Sequence, residues 1–124
     1  MAIGGRPQLE EISALAVEPQ EIPDPGNAGA IDVSRSGYME SVTTAAQTRT
    51  LARPTFIGQQ LELHCKTDGG DNVITVTGTI NVTGNNTITL NDVGDYVLLR
   101  ASRGAAAVLQ WRVVVNDGAT LSTV

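Results

Sequence analysis

The chain has 124 residues, 41% of them hydrophobic but only 3% aromatic, which leaves room for one domain with an aliphatic core. A net charge of −5 argues against a nucleic-acid surface, which needs clustered Lys and Arg, and no apolar stretch approaches the roughly 20 residues that cross a membrane. One cysteine rules out an internal disulfide framework and suits folding in a reducing cytoplasm.

The charge is unevenly spread. Residues 1–40 carry seven acids against Arg6 and Arg35, whereas residues 41–124 balance six acids with six bases. Four of the five prolines (Pro7, Pro19, Pro23, Pro25) also lie in the first 25 residues. Proline removes a backbone donor and favours extended conformations in its predecessor, so residues 1–36 read as an extended, acidic arm. Leu9, Ile12, Leu15, Val17, Ile22 and Ile31 punctuate it, and these aliphatics are the candidate partner-binding residues. Pro7 can open one short helix with Leu9, Ile12 and Leu15 on one face, which would need a partner to bury that face. No basic flank precedes an apolar run at the start, so no secretory signal is expected.

Residues 37–124 read as a β-domain. Glu40 to Arg53 is Thr-rich and stops before Pro54, which suggests an edge strand. From Gln59 to Lys66, Leu61, Leu63 and Cys65 alternate with Gln60, Glu62 and His64, the pattern of a half-buried strand. Asp68-Gly69-Gly70-Asp71-Asn72 reads as a hairpin turn. Beyond it, Ile74, Val76, Ile80, Val82, Ile88 and Leu90 occupy one face and Thr75, Thr77, Thr79, Thr83, Thr87 and Thr89 the other. A three-residue loop at Gly84-Asn85-Asn86 would pair Thr83 with Thr87, Val82 with Ile88, Asn81 with Thr89 and Ile80 with Leu90. The Thr face is expected toward solvent or a neighbouring subunit. Asn91-Asp92-Val93-Gly94 is a turn, and Asp95 to Ala101 a strand apolar on both faces. Val108 to Val115 places Leu109, Trp111, Val113 and Val115 together, with Trp111 in the core. Asn116-Asp117-Gly118 turns into a last short strand. Strands at this spacing without helical patterns predict a mainly β fold: a compact antiparallel β-sandwich, jelly-roll-like, carrying the N-terminal arm.

Chemistry-bearing constellations are scarce. His64 and Cys65 are adjacent in a strand, so their side chains point to opposite faces and cannot form a nucleophile pair. Asp68 and Asp71 beside glycines hint at calcium, but the spacing of a calcium loop fails at Thr79, which lies in a strand pattern. No metal, cofactor or catalytic residue is expected, and the chain reads as non-enzymatic.

An ordered series of stretches carries a resemblance: Thr48-Arg49-Thr50-Leu51, Pro54-Thr55 and Gly58-Gln59, then Asp68-Gly69-Gly70-Asp71 with Val73-Ile74-Thr75-Val76. It continues through Gly84-Asn85-Asn86-Thr87-Ile88-Thr89-Leu90, Asp92-Val93-Gly94-Asp95-Tyr96, Trp111-Arg112-Val113 and Asn116-Asp117-Gly118. Over residues 37–124 the chain resembles small bacteriophage virion structural proteins of the capsid cement, or decoration, kind. The resemblance implies a structural role on the outer capsid surface, made in the host bacterial cytoplasm. The implied partners are the major capsid protein and further copies of the chain, a trimer being the expected order. The alternative is a carbohydrate- or receptor-binding β module of a tail fibre or spike. That reading would need exposed aromatics or a cluster of polar side chains over a groove, and two or more of the four aromatics are expected in the core.

Overall fold

The alternation read at residues 59–66 becomes strand β5 (Gln60–Asp68), with Leu61, Leu63 and Cys65 buried and Gln60, Glu62 and His64 on the outer side. Nine further strands share this logic in the computed structural model, which describes residues 20–80 and 84–124. They are β1 (Gln20–Glu21), β2 (Gly29–Ala30), β3 (Gly37–Thr43), β4 (Gln47–Leu51), β6 (Asn72–Ile80), β7 (Asn85–Leu90), β8 (Tyr96–Arg103), β9 (Leu109–Asp117) and β10 (Thr120–Ser122). Two five-stranded sheets form the sandwich, ordered β1-β3-β5-β8-β9 and β10-β7-β6-β4-β2. The core between them is aliphatic apart from Trp111, whose indole N–H donates to the Ala52 carbonyl at 2.8 Å.

The sheets are mixed, which corrects the expectation of an antiparallel, jelly-roll-like sandwich. From β1 to β6 the chain changes sheet at every connection, so β1, β3 and β5 run parallel, as do β2, β4 and β6. Parallel neighbours need a crossover, and here the crossover is a strand of the opposite sheet. Short connections such as residues 44–46 and 69–71 are therefore arches between sheets, and the turn expected at Asp68–Asn72 is one of them. These arches stack closely: a Cβ on Gly69 or Gly70 would collide with backbone of residues 43–46. Antiparallel pairing begins only with β6–β7 and β5–β8 and continues into β8–β9 and β7–β10.

The winding also revises the arm. Residues 20–36 supply β1 and β2, and Ile22 and Ile31 are 1% and 3% exposed in the core. Gly37 lacks the Cβ that would strike the Ile22 side chain, so Ile22 lies directly on β3. Leu9, Ile12, Leu15 and Val17, and the helix expected after Pro7, lie outside the described residues. With β1 and β2 outside them, β3 and β4 are interior strands rather than the edge expected over residues 40–53.

Two further departures have local causes. The β6–β7 hairpin exists, with Ile74, Val76, Ile80, Ile88 and Leu90 buried, but its register pairs Ile74 with Ile88 and Thr75 with Thr87. Between that pairing and Ile80 opposite Asn85, four residues of β6 face one residue of β7. Gly78, at φ 83°, breaks the strand there, and the Arg53 guanidinium lies over its α-carbon. The expected pairs at Asn81, Val82 and Thr83 fall outside the described residues. In β9 a bulge at Val114 separates Val113 opposite Leu99 from Val115 opposite Leu98, and a one-residue bulge reverses facing. Trp111 consequently stays inside while Val115 is 44% exposed.

Buried polar groups lock the arches. The Arg49 side chain is fully buried on β4 and forms a two-pronged pair with Asp24, Nε to Oδ1 at 2.7 Å and Nη2 to Oδ2 at 3.0 Å. Asp24 also accepts the N–H groups of Val42 and Gly26. Gln59, completely buried, donates to the carbonyls of Val33 and Arg35 and accepts the Thr55 N–H. Burial alone would raise the Asp24 carboxyl, but the Arg49 pair and the two backbone N–H groups outweigh it and hold Asp24 below its ordinary value of 3.8. Removing one partner of a buried pair strands the other charge, so Asp24→Ala should cost about 3 kcal/mol in urea unfolding. A depressed folded pKa contributes stability above the unfolded value and loses it as pH falls through the folded one. Wild type should therefore lose stability below pH 3.8 more steeply than Asp24→Ala, as followed by thermal melts across acid pH.

Thr87, expected on the solvated face, is fully buried, and its hydroxyl donates to the Ser122 carbonyl at 3.0 Å and touches the Ser122 hydroxyl. Thr87→Asp should then destabilise by about 3 kcal/mol, because it buries a carboxylate against a carbonyl. Thr75→Asp, at an exposed position opposite Thr87, should shift stability by only about 0.5 kcal/mol. Equal unfolding midpoints for the two variants would contradict this assignment.

Candidate functional site

The outer faces of the two sheets differ in chemistry. Cross-strand register on the β10-β7-β6-β4-β2 sheet lines up Thr48, Val73, Thr89 and Thr120 in one row, and Ala30, Thr50, Thr75, Thr87 and Ser122 in the next. That face is uncharged and carries hydroxyls. The other sheet lines up Glu21, Tyr38, Glu62, Leu98 and Val115, then Glu40, His64, Tyr96 and Asp117. Both tyrosines and the lone histidine thus share one face with three glutamates.

Their contacts form two linked groups. The Tyr96 hydroxyl donates to Glu62 Oε1 at 2.6 Å. Tyr38 Oη lies 3.2 Å from His64 Nδ1, the rings stack at 6.3 Å between centroids, and Glu40 Oε2 lies 4.0 Å from the same nitrogen. Burial first, then the bonded Glu62 carboxylate, pushes the Tyr96 phenol up to about 12. Burial and the charges of Glu40 and Glu62 raise Tyr38 as well. A carboxylate held by a neutral phenol is a rigid acceptor, and paired rings make a flat half-exposed platform; both suit binding.

Cys65 is 1% exposed and points inward from the residue beside His64, as strand geometry requires. Burial, with the nearby charges of Asp68, Asp95 and Asp92, raises its thiol pKa, which makes it a poor nucleophile. Asp68 accepts the Gly70 N–H, and Asp95, nearly buried, accepts the N–H groups of Asn91 and Asp92. These acids brace their turns. Among the described residues no three His, Cys, Asp or Glu side chains are grouped to hold a metal ion.

A second surface arises from strand direction. The start of β1 and the connections at 31–36, 52–59 and 104–108 share one end of the sandwich. The connections at 22–28, 44–46, 69–71, 91–95 and 118–119 share the other. Arg35, Arg53 and Arg103 belong to the first end, and Arg100 and Arg112 face each other in the sheet just above it. Asp68, Asp71, Asp92 and Asp117 mark the opposite end. The basic end also exposes Phe56 (45%), Ile57 (51%) and Val108 (39%). Of the four aromatics, only Trp111 is buried, fewer than the sequence suggested.

The expected partner-binding residues are thus divided. Ile22 and Ile31 serve the core, and the remaining four belong to the segment preceding Gln20, which joins the body at the basic end. The tyrosine–glutamate face went unread because its residues become neighbours only through the parallel β3–β5 register together with the antiparallel β5–β8 register. No family model and no curated protein matches this sequence.

The Tyr96–Glu62 bond has a direct readout. In a UV-monitored titration one tyrosine should ionise near pH 12 in wild type, and Glu62→Gln should bring that transition down toward the ordinary 10. An unchanged titration in Glu62→Gln would show that the carboxylate does not govern the phenol.

Proposed function

We propose that this chain is a non-enzymatic bacteriophage capsid cement protein, which binds the outer surface of the major capsid protein shell as a homo-oligomer, a trimer being the favoured order. In this reading Leu9, Ile12, Leu15 and Val17 form an N-terminal clasp. The observation that carries it is the meeting of complementary features at one end. Exposed Phe56, Ile57 and Val108 lie at the end where the chain before Gln20 joins the body, and exposed apolar side chains gathered at one end suit an interaction surface. The stretches that carry the resemblance to virion proteins support the reading in a different way. Arg49, Gln59, Asp68, Asp95, Trp111 and Asn116 all hold strands or turns together, so what the motifs specify is a scaffold rather than a reaction site. Repetition over a shell makes a modest interface effective through avidity.

One observation favours a second reading, a carbohydrate- or receptor-binding module of a tail fibre or spike. Tyr38 and Tyr96 stand half-exposed beside Glu40, Glu62 and His64, a pairing of flat rings with hydrogen-bonding groups that suits sugars.

One pair of measurements separates the two. Purified protein should co-sediment saturably with empty capsids and remain unbound on a glycan array. Glycan binding that disappears in Tyr38→Ala, with no capsid binding, would replace the cement reading by the second.

A further inference from the structure

We propose that the outer face of β8 and β9 is a two-fold contact between copies of this chain, in which Leu98, Val114 and Val115 meet across the axis and Arg112 of each copy faces Asp117 of the other. The cement reading names further copies as partners without giving them a surface, so the inference goes beyond it and needs no shell.

The apolar part begins with the β9 bulge. Val113 lies opposite Leu99 and Val115 opposite Leu98, with Val114 between them. Unbroken alternation from Trp111 would turn Val115 into the core. Instead Val114 and Val115 are 54% and 44% exposed beside half-buried Leu98. Bulges re-aim side chains and recur where that serves a site. One exposed valine needs no explanation, but three adjoining aliphatics on a sheet face suit a contact.

Charge decides what covers them. Register sets three rows side by side: Gln60, Arg100 and Arg112; then Glu62, Leu98 and Val115; then His64, Tyr96 and Asp117. Arg100 and Arg112 are exposed and directly opposed, and like charges so placed repel. Among the described residues neither guanidinium has a hydrogen bond or an ion pair, and the exposed Asp117 carboxylate has none either. The arginines border the apolar row on one side and Asp117 borders it on the other, each roughly 7 Å away along the strands.

A two-fold axis lying along the apolar row sets the arginine row of one copy over the aspartate row of the other. Arg112 then meets Asp117, and Arg100 meets the half-exposed Tyr96 ring, a cation over an aromatic face. The Tyr96 hydroxyl, donating to Glu62, holds that ring in place. Arg100 and Arg112 balance Glu62 and Asp117, so with His64 uncharged the three rows are neutral although the chain carries −5. Two such faces approach without net repulsion. A partner of one sign would satisfy one flank only; a second copy satisfies both. Sheets stacked face to face, about 10 Å apart, need no open edge. A two-fold contact doubles the unit it acts on, whether that unit is a single chain or a trimer.

The test uses the full chain, without capsids, in sedimentation velocity over a wide range of micromolar concentrations. Wild type should come to sediment with twice the mass of its dissociated unit as concentration rises. Arg112→Asp leaves acids at both positions and Asp117→Arg leaves bases at both, so each variant alone should dissociate about tenfold more readily. Mixed in equal amounts the two variants restore both opposite pairs, and association should return to within about threefold of wild type. Val115→Thr, a small change at an exposed site, should weaken the pair without lowering the urea unfolding midpoint. Thr75→Asp, exposed on the other sheet, should leave association unchanged. Circular dichroism on each variant confirms that the sandwich is intact. A wild type that stays undoubled would overturn the inference, as would a mixture that associates no better than its components. A chain that pairs as expected yet ignores capsids would fail the cement reading alone, so the two failures are told apart.

Discussion

The buried pair between Arg49 and Asp24 is the interaction on which the winding depends. Arg49 sits inside the sandwich on β4, and Asp24 lies in the first arch, so their bond ties one turn of the winding to the next. Asp24 also takes the Val42 N–H near the end of β3, and Arg49 Nη2 donates to the Val42 carbonyl. One carboxylate and one guanidinium thus join two arches across both sheets. An ion pair so buried gives little net stability over an apolar substitute, because both charges must leave water. What it supplies here is register: any slip of β2 against β4 would leave a charge unpaired inside the core. Gln59 plays the same part at the basic end, where its amide satisfies the carbonyls of the β2–β3 connection.

Once the arches are fixed, much of the surface follows. Three parallel strands in each sheet place residues two elements apart side by side, so Tyr38 meets Glu62 and Glu40 meets His64. Antiparallel β8 then brings Tyr96 beside His64. Alternating strand direction also gathers Arg35, Arg53 and Arg103 at one end and the aspartate-bearing turns at the other. The neutral body seen in the sequence therefore carries more of its arginines toward one end and more of its aspartates toward the other.

Strand identity was legible because it needs only period-two alternation, which β5, β6 and β9 display, and the inward positions of Trp111 and Cys65 follow from it. Connection was not legible. Alternation is the same in parallel and antiparallel strands, and a three-residue link such as Thr44-Ala45-Ala46 suits a hairpin as well as an arch. Residues 20–36 misled for a related reason. Prolines at 23 and 25 do oppose long strands, yet two-residue strands suffice when the neighbour is already in place, and Ile22 and Ile31 then find the core. The hairpin register failed at Gly78, whose positive φ interrupts an alternation that the side chains alone make continuous. The tyrosine–glutamate face depends on that same unread connectivity, whereas the basic end could have been sought in the clustering of arginines beside turn residues.

The placement of short and broken strands bears on how such a body can associate. Open sheet edges invite further strands, and proteins guard them with brevity, bulges and charge. Among the described residues three of the four edges are β1, β2 and β10, of two, two and three residues. The fourth, β9, is long, but it carries the Val114 bulge and two arginine-facing positions. Near its start, Gln110 Nε2 donates to Thr79 Oγ1 and the Leu109 carbonyl accepts Arg53 Nη1, which turns that part of β9 toward β6. Growth by adding strands is thus opposed on every side. Association is left to surfaces of another kind: the hydroxyl face, the tyrosine–glutamate face and the basic end. The basic end combines exposed apolar area at Phe56, Ile57 and Val108 with arginine charge, and complementarity of both kinds is what separates a specific contact from general stickiness.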